Sequence, residues 1–66
     1  MKNNLKNKRQ SLGLTQKHVA FTLEMAESAY QRYERGDVAP TVYVAIRIAR
    51  ALHSTVEELF PIDEEE

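Results

Sequence analysis

Apolar side chains recur along the chain at intervals of three and four residues, the spacing of helices with one buried face. The clearest example lies in residues 42–52, and its apolar positions are Val42, Ala45, Ile46, Ala49 and Leu52. Shorter segments of the same kind lie near residues 5–12, 16–23, 27–35 and 55–60. No stretch alternates apolar and polar residues over the length of a strand. The pattern predicts an all-α fold of five short helices.

Residues with known preferences for helix ends border these segments. Thr15, Thr41 and Thr55 each stand where a side-chain oxygen can cap the start of a helix. Thr55 and Glu58 have the spacing of a capping box. These residues predict where helices two, four and five begin.

Glycines follow the first and third segments. Gly13 and Gly36 can each adopt the left-handed conformation that ends many helices. We therefore expect the first helix to end at Gly13, with Leu5 and Leu12 forming one narrow apolar stripe seven residues apart.

Charge is distributed unevenly over the 66 residues. The net charge is -1, yet all nine basic residues and only four of the ten acidic ones lie in residues 1–56. The resulting balance of +5 favours an anionic partner for the body of the chain. We assign residues 1–60 to one domain and residues 61–66 to an acidic C-terminal tail, which is expected to be solvated because like charges cannot form a core.

The composition argues against several functional classes. There is no cysteine and there are only two histidines, so we expect no disulfide, no metal site and no cofactor. No long apolar run or secretory signal is found, which predicts a cytoplasmic protein that does not contact membranes. A glycine-rich phosphate loop, a zinc-protease motif and a nucleophile elbow are also missing, so we expect neither an enzyme nor a small-molecule ligand.

Residues 16–23 and 27–35 are separated by a turn of three residues, which is the spacing of a helix-turn-helix. At 100° per residue, Ala29, Tyr30 and Tyr33 fall on one side of the second helix of this pair. The opposite side consists of four polar residues, Glu27, Ser28, Gln31 and Arg32. These side chains could contact base edges or phosphates, or they could form the ordinary solvated face of an amphipathic helix.

Across residues 5–60 the chain resembles the phage-repressor and Cro type of helix-turn-helix regulator, the XRE-like family. The similarity is carried by Gly-Leu-Thr-Gln at 13–16, Tyr-Glu-Arg-Gly at 33–36, Pro-Thr at 40–41 and Val-Glu-Glu-Leu-Phe at 56–60. The resemblance implies a compact, lambda-repressor-like domain of five helices whose third helix enters the major groove of double-stranded DNA. It also implies a transcriptional regulator, usually a repressor, that binds a pseudo-palindromic operator as a homodimer.

The resemblance also implies roles for individual residues. Gln16 matches a glutamine that bonds a DNA phosphate at the start of helix two, where it would add mainly sequence-independent affinity. Glu27, Ser28 and Arg32 match base-reading positions, and Gln31 lies between them. By base-edge chemistry Arg32 suits guanine, Gln31 suits adenine and Glu27 suits the amino group of cytosine, whereas Ser28 is unselective.

Other contacts follow from the same comparison. Arg35 and Tyr43 are expected to contact DNA phosphates, and Lys17 is expected to contact DNA. Arg9 and Glu34 are expected to form a structural ion pair between helices one and three. If that pair is partly buried, loss of one partner should cost several kcal/mol.

The chain departs from the family pattern in three places. Ala26 stands where relatives usually have a serine or threonine cap, and Glu24 stands at a turn position often held by glycine. Asp37 lies in a loop where relatives commonly carry lysines. These departures predict modest DNA affinity per subunit.

The C-terminal segment supplies more apolar surface than a terminal helix in a small monomer can readily cover. We predict that it forms the homodimer interface, which consists of Val56, Leu59, Phe60 and Ile62. Alternatively, Leu59 and Phe60 close the core of the monomer. An intermediate arrangement buries Leu59 and shares the other three with a partner.

Two other functions remain open at this point. The same domain serves as the antitoxin of toxin-antitoxin pairs, where DNA binding is autoregulatory. A helix-turn-helix domain that has lost DNA binding and contacts only protein is the third possibility, and the acidic tail and the loop at Asp37 favour it.

Overall fold

Five helices make up the computed structural model, which describes residues 2–62. They are α1 (Leu5–Ser11), α2 (Gln16–Thr22), α3 (Glu27–Arg35), α4 (Val42–Ala51) and α5 (Val56–Leu59). No strand occurs among these residues, in agreement with the predicted all-α fold. None of the five helices has the length and apolar character needed to cross a bilayer. Residues 63–66, most of the predicted acidic tail, lie outside the described residues.

Three threonines cap helix starts as predicted. The Thr15 hydroxyl accepts a hydrogen bond from the backbone N–H of His18, and Thr41 and Thr55 cap α4 and α5 in the same way. At α5 the Glu58 carboxylate returns the contact by accepting from the Thr55 hydroxyl at 3.3 Å. The caps hold three short helices at defined starting points, because each satisfies an otherwise unpaired amide.

Left-handed residues end the first four helices. Gly13 and Gly36 do so at φ values of 70° and 78°, as the sequence predicts. Glu24 and His53 adopt the same conformation at 58° and 52°. After each of them the next amide closes back onto the helix, for example from Ser54 to the carbonyl of Ala49 at 2.9 Å. The left-handed conformation of His53 was not anticipated from the sequence.

Helix α1 is shorter than predicted, since it ends at Ser11. Leu12 is 37% exposed and does not join the core, so the predicted stripe of Leu5 and Leu12 is wrong. The buried positions of α1 are Leu5 and, one turn later, Arg9. The Arg9 cation can occupy this buried position because it faces the Glu34 carboxylate of α3.

The core lies where α2 and α3 pack together and α1, α4 and α5 cover them. Its buried side chains are Leu5, Val19, Ala20, Leu23, Tyr30, Ile48, Ala49, Leu52 and Leu59. The N-terminal segment is tied to α3 and α5, because the Asn3 amide donates to the Tyr33 carbonyl at 2.8 Å and the Asn4 N–H donates to the Leu59 carbonyl at 2.9 Å. These contacts set the position of α3 relative to the rest of the molecule.

Candidate nucleic-acid interface

Helices α2 and α3 form the compact pair that the spacing of the sequence predicts. Ala20 of α2 and Leu23, which directly follows α2, are buried together with Tyr30 of α3, and the turn between the helices passes through the left-handed Glu24. The cap position of α3 is Ala26, whose extended backbone has no side-chain cap hydrogen bond. Glu24 thus adopts the left-handed conformation for which glycine is usual, and α3 begins without a side-chain cap.

The outer side of α3 presents the four polar residues expected from the helical phase. Glu27, Ser28 and Arg32 are exposed and Gln31 is half-buried, whereas Tyr30 on the opposite side is fully buried. We call these four outward residues the α3 surface. Packing of Tyr30 in the core fixes the rotation of the helix about its axis, so the α3 surface has a defined orientation.

A buried ion pair lies behind this surface. The Arg9 Nε donates to Glu34 Oε2 at 2.6 Å, and Nη2 donates to Oε1 at 3.2 Å. The third guanidinium nitrogen, Nη1, donates to the Leu14 carbonyl at 2.9 Å. The Arg9 and Glu34 side chains are only 10% and 4% exposed. The pair thus joins α1 to α3 and to the loop before α2.

The two charges stabilise each other in their ionised forms. Burial by itself would raise the pKa of Glu34, but hydrogen bonds from Arg9 and Gln16 outweigh it and lower that pKa. The hydrogen bond to Glu34 raises the pKa of Arg9 despite the opposing effect of burial. Burial, together with the neighbouring Glu34 carboxylate, raises the pKa of Tyr30. Glu34 is therefore a carboxylate at neutral pH and accepts hydrogen bonds only.

Hydrogen bonds connect this pair with the α3 surface through α2. The Gln16 Nε2 donates to Glu34 Oε1 at 3.0 Å. The Gln31 Nε2 donates to Gln16 Oε1 at 3.1 Å and, at 3.4 Å, to Glu27 Oε2. The structure thereby brings together Gln16, Gln31 and Glu27 of the predicted DNA-contacting set.

Lys17 and the two predicted phosphate contacts, Arg35 and Tyr43, are on the surface but are not part of this network. Lys17 is exposed on α2. Arg35 donates from Nε to Asp37 Oδ2 at 2.9 Å in an exposed pair, so the acidic residue in the loop partly neutralises it. The Tyr43 ring is exposed, with the Arg47 guanidinium 5.9 Å from its centroid. Arg47 was not singled out from the sequence, where it reads as an ordinary polar residue of α4.

The predicted dimer residues fall into two groups. Leu59 is 1% exposed and belongs to the core, so including it in the interface is wrong: a partner could not reach its side chain. Val56 and Phe60 are half-buried, and Ile62 is 87% exposed. Leu59 thus closes the core of the monomer, and the sharing of the other three residues with a partner stays a prediction.

An open groove of about 740 Å³ lies beside these residues. We call it the α4–α5 groove, and it is lined by Val42, Ile46, Val56, Glu57, Phe60, Pro61 and Ile62. Val42 and Ile46 are exposed, although the sequence placed them on the core face of α4. Both lie towards one edge of the apolar arc, which is centred near Ala45 and Leu52 at 100° per residue.

A helix-turn-helix family model matches residues 5–59, which is most of the chain and includes all five helices. The chain belongs to this helix-turn-helix family. Membership agrees with the resemblance to the phage-repressor and Cro type, and it indicates a DNA-binding regulator rather than an enzyme.

Three curated members of the family illustrate the similarity. The uncharacterized HTH-type transcriptional regulator YgzD of Bacillus subtilis is 29% identical over 98% of both chains. An uncharacterized HTH-type transcriptional regulator of Methanothermobacter thermautotrophicus is 33% identical over 98% of this chain and 96% of its own. The cryptic phage CTXphi transcriptional repressor RstR of Vibrio cholerae is 32% identical over 89% of this chain, which spans 53% of that relative.

Proposed function

We propose that this helix-turn-helix protein is a sequence-specific transcriptional repressor that binds a pseudo-palindromic operator as a homodimer. The observation that carries the proposal is the α3 surface, whose polar side chains project from a helix held in place by the core and by the Arg9–Glu34 pair. A rigid helix with outward polar side chains can enter the major groove and contact base edges. The name of the related repressor RstR supports repression as the outcome.

Each residue of the proposed interface has a chemical role. Arg32 is exposed, and its guanidinium can donate two hydrogen bonds to guanine O6 and N7. Glu27 can accept from cytosine N4, and Ser28 can contact several bases. The neighbouring Lys17, together with Arg35 and Tyr43, would contact phosphates and position α3 without reading sequence.

We expect a dimer because one recognition helix contacts too few base pairs to specify an operator. A single recognition helix contacts only a few base pairs, whereas two copies one helical turn apart, roughly 34 Å, read two half-sites. The α4–α5 groove supplies an apolar surface for the second copy, and the Ile62 side chain in it is 87% exposed. An exposed apolar cluster of this kind is typical of an interface.

Selection of bound DNA from a random pool tests the proposed DNA binding. We expect a pseudo-palindromic consensus for the wild-type protein. Arg32→Ala should relax the preference at one position of each half-site, at a cost of about 1 to 3 kcal/mol for the preferred base. Lys17→Ala is the matched control, because loss of a phosphate contact weakens binding to all sequences alike. Failure of the wild-type protein to enrich any sequence would contradict this proposal and favour a role in protein contacts only.

Sedimentation at micromolar concentration tests the dimer. Ile62→Asp places a charge in the α4–α5 groove and should convert a dimer to a monomer, and it should leave the fold intact because Ile62 is exposed in the protomer. Phe21→Asp is the control, since Phe21 is also highly exposed but does not line the groove. A wild-type protein that is monomeric both free and on a half-site would refute the dimer.

A further inference from the structure

Hydrogen bonds link the buried Glu34, through Gln16, to Gln31 on the α3 surface. The buried end of this chain fixes which group donates and which accepts at each step. Glu34 is ionised and held by Arg9, so it can only accept hydrogen bonds. Gln16 must therefore turn its amide nitrogen towards Glu34, which leaves Gln16 Oε1 facing α3. The next group in line has to be a donor.

Gln31 supplies that donor, and in doing so it uses both of its amide hydrogens. Its Nε2 lies 3.1 Å from Gln16 Oε1 and 3.4 Å from Glu27 Oε2. The opposite orientation of the amide would place Gln31 Oε1 against two other oxygen acceptors. Within residues 2–62 no group donates to Gln31 Oε1, so this oxygen is the part of the side chain that is left for a ligand.

We propose that the Arg9–Glu34 pair, acting through Gln16, restricts Gln31 to reading operator bases as a hydrogen-bond acceptor. This inference rests on the proposed function. A glutamine that recognises adenine alone does so with one donor and one acceptor, on N7 and N6. With its donors already occupied, Gln31 selects any base with an exocyclic amine in the major groove, which means adenine or cytosine.

Guanine and thymine are disfavoured at the same position. Both present only acceptor oxygens and nitrogens, or a methyl group, at the major-groove edge, and these would face Gln31 Oε1. Gln16 is thus a positioning residue for base selection, beyond the sequence-independent phosphate contact expected from the family resemblance. Its replacement should change which base is preferred, in addition to overall affinity.

Selection from a random pool with three variants tests this inference. Gln31→Ala locates the operator position concerned, because the preference there should disappear. At that position the wild-type protein should bind adenine and cytosine within about threefold of each other, and guanine and thymine at least about tenfold more weakly. In Gln16→Ala the freed amide of Gln31 can rotate to contact adenine with both of its groups, so adenine should exceed cytosine by about tenfold.

Lys17→Ala is the matched control on the same helix, since it lies outside the hydrogen-bond network and should leave all base preferences unchanged. Thermal unfolding of Gln16→Ala checks that the fold is retained, and the wild-type preference tests the inference without any variant. A clear consensus with guanine or thymine at the Gln31 position would overturn it. So would a consensus that is identical in Gln16→Ala and the wild type, or one that Gln31→Ala leaves unaltered. If the wild-type protein enriches no sequence, the proposed function fails first and the inference fails with it.

Discussion

Glu34→Ala removes the carboxylate that holds Arg9 between α1 and α3. The guanidinium then loses the acceptor of Nε at 2.6 Å and of Nη2 at 3.2 Å and keeps only the Leu14 carbonyl. Because both side chains are at least nine-tenths buried, water cannot readily replace the lost partner. Breaking a buried pair in this way costs about 3 to 5 kcal/mol.

That cost is large compared with the stability of so small a chain. At about 0.05 to 0.15 kcal/mol per residue, a protein of this length has a free energy of unfolding of about 3 to 10 kcal/mol. Glu34→Ala should therefore lower the urea midpoint strongly or unfold the protein outright. Circular dichroism during urea titration measures the change, at one fixed protein concentration because any dimer adds concentration-dependent stability.

Two control variants show whether the loss of stability arises because the ion pair is buried. Asp37→Ala breaks the exposed Arg35–Asp37 pair, whose side chains are 61% and 50% exposed, and should cost less than about 1 kcal/mol. The double variant Arg9→Met with Glu34→Leu should recover much of the loss, because it leaves no buried charge without a partner. Equally small effects of Glu34→Ala and Asp37→Ala would refute the reasoning.

Further predictions concern acid stability and the turn before α3. Because the pKa of Glu34 is lowered by folding, its contribution is fully present above the unfolded value of about 4.3 and is lost as the pH falls through the folded value. Urea midpoints against pH should therefore fall less steeply below about pH 4.3 in Glu34→Gln than in the wild type. Ala26→Ser should raise the free energy of unfolding by about 1 kcal/mol, because Ala26 already has the extended backbone of a helix cap. Glu24→Gly should add about 1 kcal/mol by relieving the left-handed conformation. Unchanged urea midpoints would show that neither turn position limits stability.

Local features of the sequence predicted most helix borders correctly. A threonine cap depends on a side chain and an amide two or three residues away, and a glycine in the left-handed region depends on its own backbone. Thr15, Thr41 and Gly36 therefore behave as predicted. His53 was missed because no glycine marks its position, although the Ser54 amide closes back onto the Ala49 carbonyl there at 2.9 Å.

The helical phase was less informative about which apolar residues become buried. Leu12, Val42 and Ile46 follow helical spacing, yet all three are exposed. Periodicity shows which side chains share one face of a helix, but burial needs a second element opposite them. In this fold α5 is only four residues long; it adds Leu59 to the core, whereas Val42 and Ile46 of α4 stay exposed.

The sequence by itself determined the five helices, the pairing of α2 with α3 and the four residues of the α3 surface, because these follow from interactions within one helix or across one short turn. Only the tertiary structure decided that Gln16 and Gln31 extend the Arg9–Glu34 pair into one chain of hydrogen bonds, because these residues are brought together from three helices. It also separated Leu59, which is in the core, from Ile62, which is in the groove. The physical reason is the same in both cases. Hydrogen-bond direction and burial depend on what lies opposite a side chain, and the linear order of residues does not contain that information.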